Sequence, residues 1–168
     1  MRPLINGSSV TSYNTTSHKF NSLKIDIKAQ ASSWAPFPLS RILFCGGNSR
    51  ESKWTANSII INTLDYNTEC VDSMMQARFD HTIIYYLEYI YTFCGITSQG
   101  PTQTWEKFCV RTKKWKFISN MPDFSGTVLK YSNWWIVNGK IYTAASRGNI
   151  IVYFPRLDSF SHIDLHIW

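Results

Sequence analysis

The sequence predicts an all-β protein assembled from tandem four-stranded antiparallel units. Three observations carry that reading. A hairpin-like unit occurs four times, beginning at residues 13, 64, 108 and 153, with spacings of 51, 44 and 45 residues. A second type of strand, ending in small residues, recurs between those units. No apolar i, i+3, i+4 pattern runs far enough to specify a helix.

The hairpin unit is a large apolar residue, a polar turn, and a second large apolar residue seven places on. It reads Tyr13-Asn-Thr-Thr-Ser-His-Lys-Phe20, Leu64-Asp-Tyr-Asn-Thr-Glu-Cys-Val71, Phe108-Cys-Val-Arg-Thr-Lys-Lys-Trp115 and Tyr153-Phe-Pro-Arg-Leu-Asp-Ser-Phe160. Ser17, Thr68 and Thr112 occupy the fifth position of three copies. A hydroxyl there bonds nearby backbone and favours a tight turn.

The second strand reads Arg41-Ile-Leu-Phe-Cys-Gly-Gly47, then Ile90-Tyr-Thr-Phe-Cys-Gly-Ile96, then Ile141-Tyr-Thr-Ala-Ala-Ser146. Upstream of the second and third copies stand further strand formers, Thr82-Ile-Ile-Tyr-Tyr86 and Trp134-Trp-Ile-Val137. Asn138-Gly139 follows the latter and suits the two positive φ values of a type I′ turn, which predicts a hairpin over Trp134 to Thr143. One unit is therefore two hairpins, or four short strands.

Composition fits this reading and narrows function little. The 168 residues are 44% hydrophobic and 15% aromatic, the profile of a chain with a buried core. Apolar runs such as Ile83 to Leu87 fall far short of the roughly 20 residues of a membrane helix. Cys45, Cys70, Cys94 and Cys109 form no Cys-x-x-Cys pair, so they read as free thiols of a cytoplasmic protein, and no metal or other cofactor is expected. The net charge of +6 admits an anionic partner.

A strand ending in Gly-Gly, a variable loop, a Tyr-Asp-x-x-Thr-x-x-Trp-like hairpin and then Met-x-x-x-Arg-x-x-His is the order of a kelch repeat, and this chain resembles that family. Cys45-Gly46-Gly47 matches the double glycine. Met74 or Met75 with Gln76-Ala77-Arg78-Phe79-Asp80-His81 matches the linker into the next repeat. Asn120-Met121-Pro122 resembles the same linker one repeat later, without its Arg, and Ala144-Ala145 replaces the third double glycine.

The resemblance implies an incomplete kelch-type β-propeller of four-stranded antiparallel blades. Residues 1–10 are expected to be poorly ordered. Residues 11–168 are expected to form the partial propeller, with a hairpin remnant at 11–40 and blades at about 41–73, 80–120 and 127–165. Glycine is expected where the second strand packs too close to its neighbour for a Cβ. Trp115, Phe20 and Phe160, with Val71 as an undersized substitute, are expected to fill the gaps between blades. Propellers ordinarily close into rings, so three blades imply a fragment of a longer propeller, a ring completed by another chain, or a decayed gene product.

What the resemblance implies for function is protein–protein interaction through the loop face, without catalysis. That face would carry Asn48, Arg50, Glu51 and Lys53 in one loop, with Arg78, Asp80, Gln99 and Ser125 elsewhere. Arg50 and Arg78 are the expected anchors for an acidic protein partner, because a guanidinium offers carboxylates a planar fork. The competing expectation for Arg78 is that it bonds backbone carbonyls between blades. His81 reads as a packed or hydrogen-bonded residue of the linker.

Two alternatives stand beside the scaffold reading: a fragment of a propeller enzyme of the oxidase or epimerase type, and a nucleic-acid-binding surface. The second rests on Lys107, Arg111, Lys113, Lys114 and Lys116, interleaved with Trp105 and Trp115. Strand alternation would split these residues between faces, which weighs against it. The enzyme alternative lacks any Gly-x-Ser-x-Gly, P-loop or His-Glu-x-x-His motif.

Overall fold

A computed structural model describes residues 9–24, 32–48, 54–118, 134–144 and 149–164 of the chain. Every regular element among them is a strand. Among the described residues, no helix is long and apolar enough to cross a membrane.

Strands β1 (Ser9–Asn14) and β2 (Lys19–Lys24) pair as a two-stranded hairpin. The first four-stranded sheet contains β3 (Ser33–Phe37), β4 (Arg41–Cys45), β5 (Ser58–Asn62) and β6 (Thr68–Val71), in that spatial order. The second contains β7 (Thr82–Tyr86), β8 (Tyr89–Phe93), β11 (Trp105–Cys109) and β12 (Lys114–Phe117). Between β8 and β11 the chain folds into a two-residue ribbon, β9 (Ile96–Thr97) with β10 (Gly100–Pro101). The third sheet contains β13 (Trp134–Val137), β14 (Lys140–Ala144), β15 (Asn149–Phe154) and β16 (Ser159–Asp164).

All pairings are antiparallel and join sequence neighbours within each sheet, so each sheet is a meander. Strand β7 contacts both β3 and β13, which brings the first strands of the three sheets together. Strands β6, β12 and β16 form the opposite edges. Three sheets side by side by their faces, with first strands converging, have the arrangement of propeller-like blades in an arc that does not close.

Turn chemistry explains the hairpins. Asn138 and Gly139 have φ of 47° and 76°, the two left-handed residues of the expected type I′ turn. His18, Lys113 and Asp158, at φ of 53°, 57° and 48°, share the sixth position of three hairpin units. In the remaining unit the left-handed residue is Tyr66, and Asp65 Oδ1 accepts from the Asn67 amide at 3.0 Å to tighten the turn.

The first sheet departs from the expected boundaries. Its first strand is Ser33–Phe37, a segment assigned from the sequence to a hairpin remnant, so the sheet spans 33–71 rather than beginning near 41. Pro36 obscured that strand. It is tolerated because β3 is an edge strand, where a missing N–H costs no ladder bond on the open side.

Alternation then divides each sheet into two apolar faces. Ala35, Phe37, Leu43, Cys45 and Ile60 of the first sheet pack against Ile90, Phe108 and Trp115 of the second. Tyr91, Phe93 and Trp105, on the opposite face of the second sheet, pack against Trp134, Ile141, Ile151 and Tyr153 of the third. Trp115 lies between sheets as expected, buried, with its indole Nε1 donating to Ser58 Oγ at 3.1 Å. Phe160 likewise lies between sheets, meeting Trp105 edge-on at 4.5 Å. Phe20 does not: it is 73% exposed and rests on Tyr13 of its own hairpin.

Candidate functional site

The linker Met74–His81 is the centre from which the candidate site is built. Its backbone is stitched to the first sheet by Met74 N to Ala56 O (2.9 Å), Arg78 N to Thr55 O (3.3 Å) and Gly47 N to Arg78 O (2.8 Å). It is stitched to the second by a reciprocal pair, Phe79 N to Ile96 O (3.1 Å) and Ile96 N to Phe79 O (2.9 Å). The Ser33 hydroxyl also donates to the His81 carbonyl.

This stitching explains the glycines. A Cβ on Gly46 would stand 2.5 Å from both Arg78 O and His81 Cε1, and one on Gly95 would stand 2.8 Å from Phe79 O and His81 Cβ. Both glycines also have positive φ, 63° and 97°. The neighbour that forbids a side chain is therefore the linker, rather than an adjacent strand as the sequence suggested.

Arg78 enters the gap between the sheets with no exposed surface. Its Nη1 donates to the carbonyls of Cys94 (2.9 Å) and Thr104 (2.8 Å), and its Nη2 donates to Glu106 Oε1 at 2.6 Å. Glu106 is equally buried, and its carboxylate also accepts the Met75 and Gln76 amides at 2.6 and 3.1 Å. Burial raises the Glu106 pKa, opposed by Arg78 and by those amides, and lowers that of Arg78, opposed by Glu106. The pair is fully satisfied on its carboxylate side, which a buried charge requires.

His81 is held neutral. Burial, with the Arg78 charge nearby, lowers its pKa to about 3, and its Nε2 lies 3.5 Å from the Cys45 thiol. Burial raises the Cys45 pKa, so the thiol remains protonated beside the neutral imidazole.

These facts redistribute the residues expected on the loop face. Arg78 is withdrawn from it: the guanidinium is spent on carbonyls and on Glu106, and a ligand cannot reach it. Asn48, half-buried, follows Gly46 and Gly47; Asp80, half-buried at φ 52°, belongs to the linker; Gln99, exposed, lies in the β9–β10 turn, with its amide donating to Thr97 Oγ1 at 3.2 Å. The Gly47–Arg78 and Phe79–Ile96 bonds bring these three segments together at one end of the first two sheets. Arg50, Glu51, Lys53 and Ser125 lie outside the described residues.

Glu106 was missed by sequence reasoning, although a signal existed. It shares a strand face with Phe108, an acid in a core-facing register, and such an acid demands a buried partner.

Alternation does not split the strand lysines of the basic hairpin as expected. Lys107 pairs with Lys116 and Cys109 with Lys114 on one face, and Phe108 pairs with Trp115 on the other. Trp105 and Trp115 are both buried and on opposite faces, so neither offers a ring for base stacking. No family model and no curated protein matches the sequence.

Proposed function

We propose that the chain is a kelch-type protein-interaction module that binds an acidic protein partner through the loops at the linker end of its sheets, without catalysis. The observation that carries this reading is the convergence of the Asn48, Asp80 and Gln99 segments on a linker bonded to both sheets. Loops anchored to a rigid base lose little entropy on binding, which favours recognition. The kelch-like order of glycines, hairpins and linker supports the same reading.

The titratable groups beneath that end, Arg78, Glu106 and His81, are each buried in contacts that hold the sheets together. This supports a structural rather than a catalytic role for them. A cytoplasmic setting accords with four free cysteines. The outward face of the third sheet exposes Trp135, Val137 and Ile163, at 50%, 51% and 45%, which supports self-association that extends the arc toward a ring.

The test compares proteins captured from lysate by the tagged wild type, by a loop variant carrying R50A, K53A and Q99A, and by K114Q/K116Q on the outer hairpin. The loop variant is expected to lose the captured set while the hairpin variant keeps it. Retention of that set by a folded loop variant would contradict the assignment.

A further inference from the structure

The turn joining β11 to β12 closes over a cleft of about 230 Å³ at the outer edge of the second sheet. Four cationic side chains line it, Lys107, Arg111, Lys114 and Lys116, together with Cys109 and Thr112 and without a lining carboxylate. Three acids stand near. Glu69 pairs with Lys113 of the same turn, Asp72 bonds Lys114 at 3.4 Å, and Asp158 lies within electrostatic reach of Lys107 while its Oδ1 accepts the Tyr153 hydroxyl at 2.7 Å. Three acids against five cations, Lys113 included, leave the cleft positive.

Lys107 is the informative member. It is largely buried, its ammonium lies 4.8 Å from the centre of the Tyr89 ring, and both burial and Lys116 push its pKa down. Holding a half-desolvated lysine beside another lysine is unfavourable unless an anion joins them.

Cys109 faces the same space and is only half-buried. Burial raises its pKa, but the Thr112 hydroxyl and amide, the Arg111 amide and the Arg111 charge outweigh burial and bring it below the ordinary thiol value. Burial raises Cys45 and takes Cys94 up to about 12. Cys70 is exposed on β6.

We propose that this cleft recruits anionic disulfides of the glutathione disulfide class and that Cys109 forms a mixed disulfide with them there. The cations hold the carboxylates of the disulfide while the Cys109 thiolate attacks one of its sulfurs. The S–S bond breaks and one half remains joined to Cys109. The other half leaves as a thiolate and takes up a proton from water, matching the proton that Cys109 released. Cys109 is thereby oxidised and the departing half reduced. The proposal is independent of the loop-face reading, because the cleft lies on the outer hairpin.

The test uses the full chain and two probes, dithiobis(nitrobenzoate), which carries two carboxylates, and uncharged dithiodipyridine. The ratio of anionic to neutral probe rates is measured at Cys109 in C70S and at Cys70 in C109S. At low ionic strength the ratio at Cys109 is expected to exceed that at Cys70 by roughly tenfold, and to fall toward it in high salt and in R111Q/K116Q. Mapping of the adduct from glutathione disulfide on the wild type, which needs no variant to fold, is expected to place it on Cys109 first. Equal ratios at the two cysteines, a ratio insensitive to salt, or an adduct that forms first on Cys70 would each overturn the proposal.

Discussion

The junction between the first and second sheets is joined by directed polar contacts, whereas the junction between the second and third is joined by aromatic rings. At the first, the linker supplies Arg78 to two carbonyls and to Glu106, and His81 to Cys45, beside an ordinary apolar core. At the second, Trp105 meets Phe93 at 4.0 Å, Trp134 at 4.7 Å and Phe160 at 4.5 Å, while Phe93 stacks on Trp134 at 4.3 Å. The two solutions differ in what they specify. Ring packing is tolerant of small shifts, but a forked guanidinium between carbonyls and a carboxylate fixes the register of the sheets.

The comparison breaks most severely where one side of it is removed. Trp105→Ala empties the centre of the aromatic junction and is expected to cost about 3–5 kcal/mol in urea unfolding. Hydrogen exchange in that variant should rise more in the third sheet than in the first. Equal loosening of both would mean that the junctions are a single cooperative unit.

Acid should attack the polar junction through His81. Folded His81 stays neutral down to about 3, whereas in the unfolded chain it protonates near 6.5. Between those values the unfolded state binds more protons, so this contribution is intact above about 6.5 and falls as pH drops, by about 1.4 kcal/mol per unit. Replacing His81 with Gln should flatten that slope, whatever its effect on stability at neutral pH. Unfolding midpoints measured across the pH range would show it.

The smallest change is a single methyl group. Gly46→Ala combines a left-handed φ with a contact at 2.5 Å and is expected to cost about 1–3 kcal/mol. Gly100→Ala has a positive φ but open space around it, and is expected to cost about 1 kcal/mol. Urea midpoints of the two variants separate linker contact from backbone strain.

Much of the fold was legible because its signals are local. The Asn138-Gly139 turn and three of the hairpin units depend on residues a few places apart and appear where the pattern predicts them, whereas in the fourth Leu64 is exposed in a longer turn and Val71 pairs with Ser58. Strand β3 was hidden because Pro36 argues against a strand, and only its edge position, a tertiary fact, permits it. Phe20 matched the spacing of an inter-sheet residue, but spacing does not reveal whether a neighbouring sheet covers that face.

The candidate site was less legible than the fold. Its linker motif could be recognised, yet whether Arg78 points to solvent or to the gap depends on Glu106, which lies 28 residues further along the chain. Sequence supplied both expectations for Arg78, and the carbonyls of Cys94 and Thr104 decide between them. The loop residues around Asn48 and Gln99 were placed by topology once the strands were assigned.

The claim on which the comparison rests is that Arg78 and Glu106 act as one unit that joins two sheets. A double-mutant cycle of R78M, E106L and R78M/E106L, read by urea unfolding, tests it directly. Each single variant strands a buried charge and is expected to cost about 3–5 kcal/mol, while the double variant should lose less than the sum by about 2 kcal/mol or more. Losses that add within about 0.5 kcal/mol would show the two side chains to be energetically independent and would contradict the account.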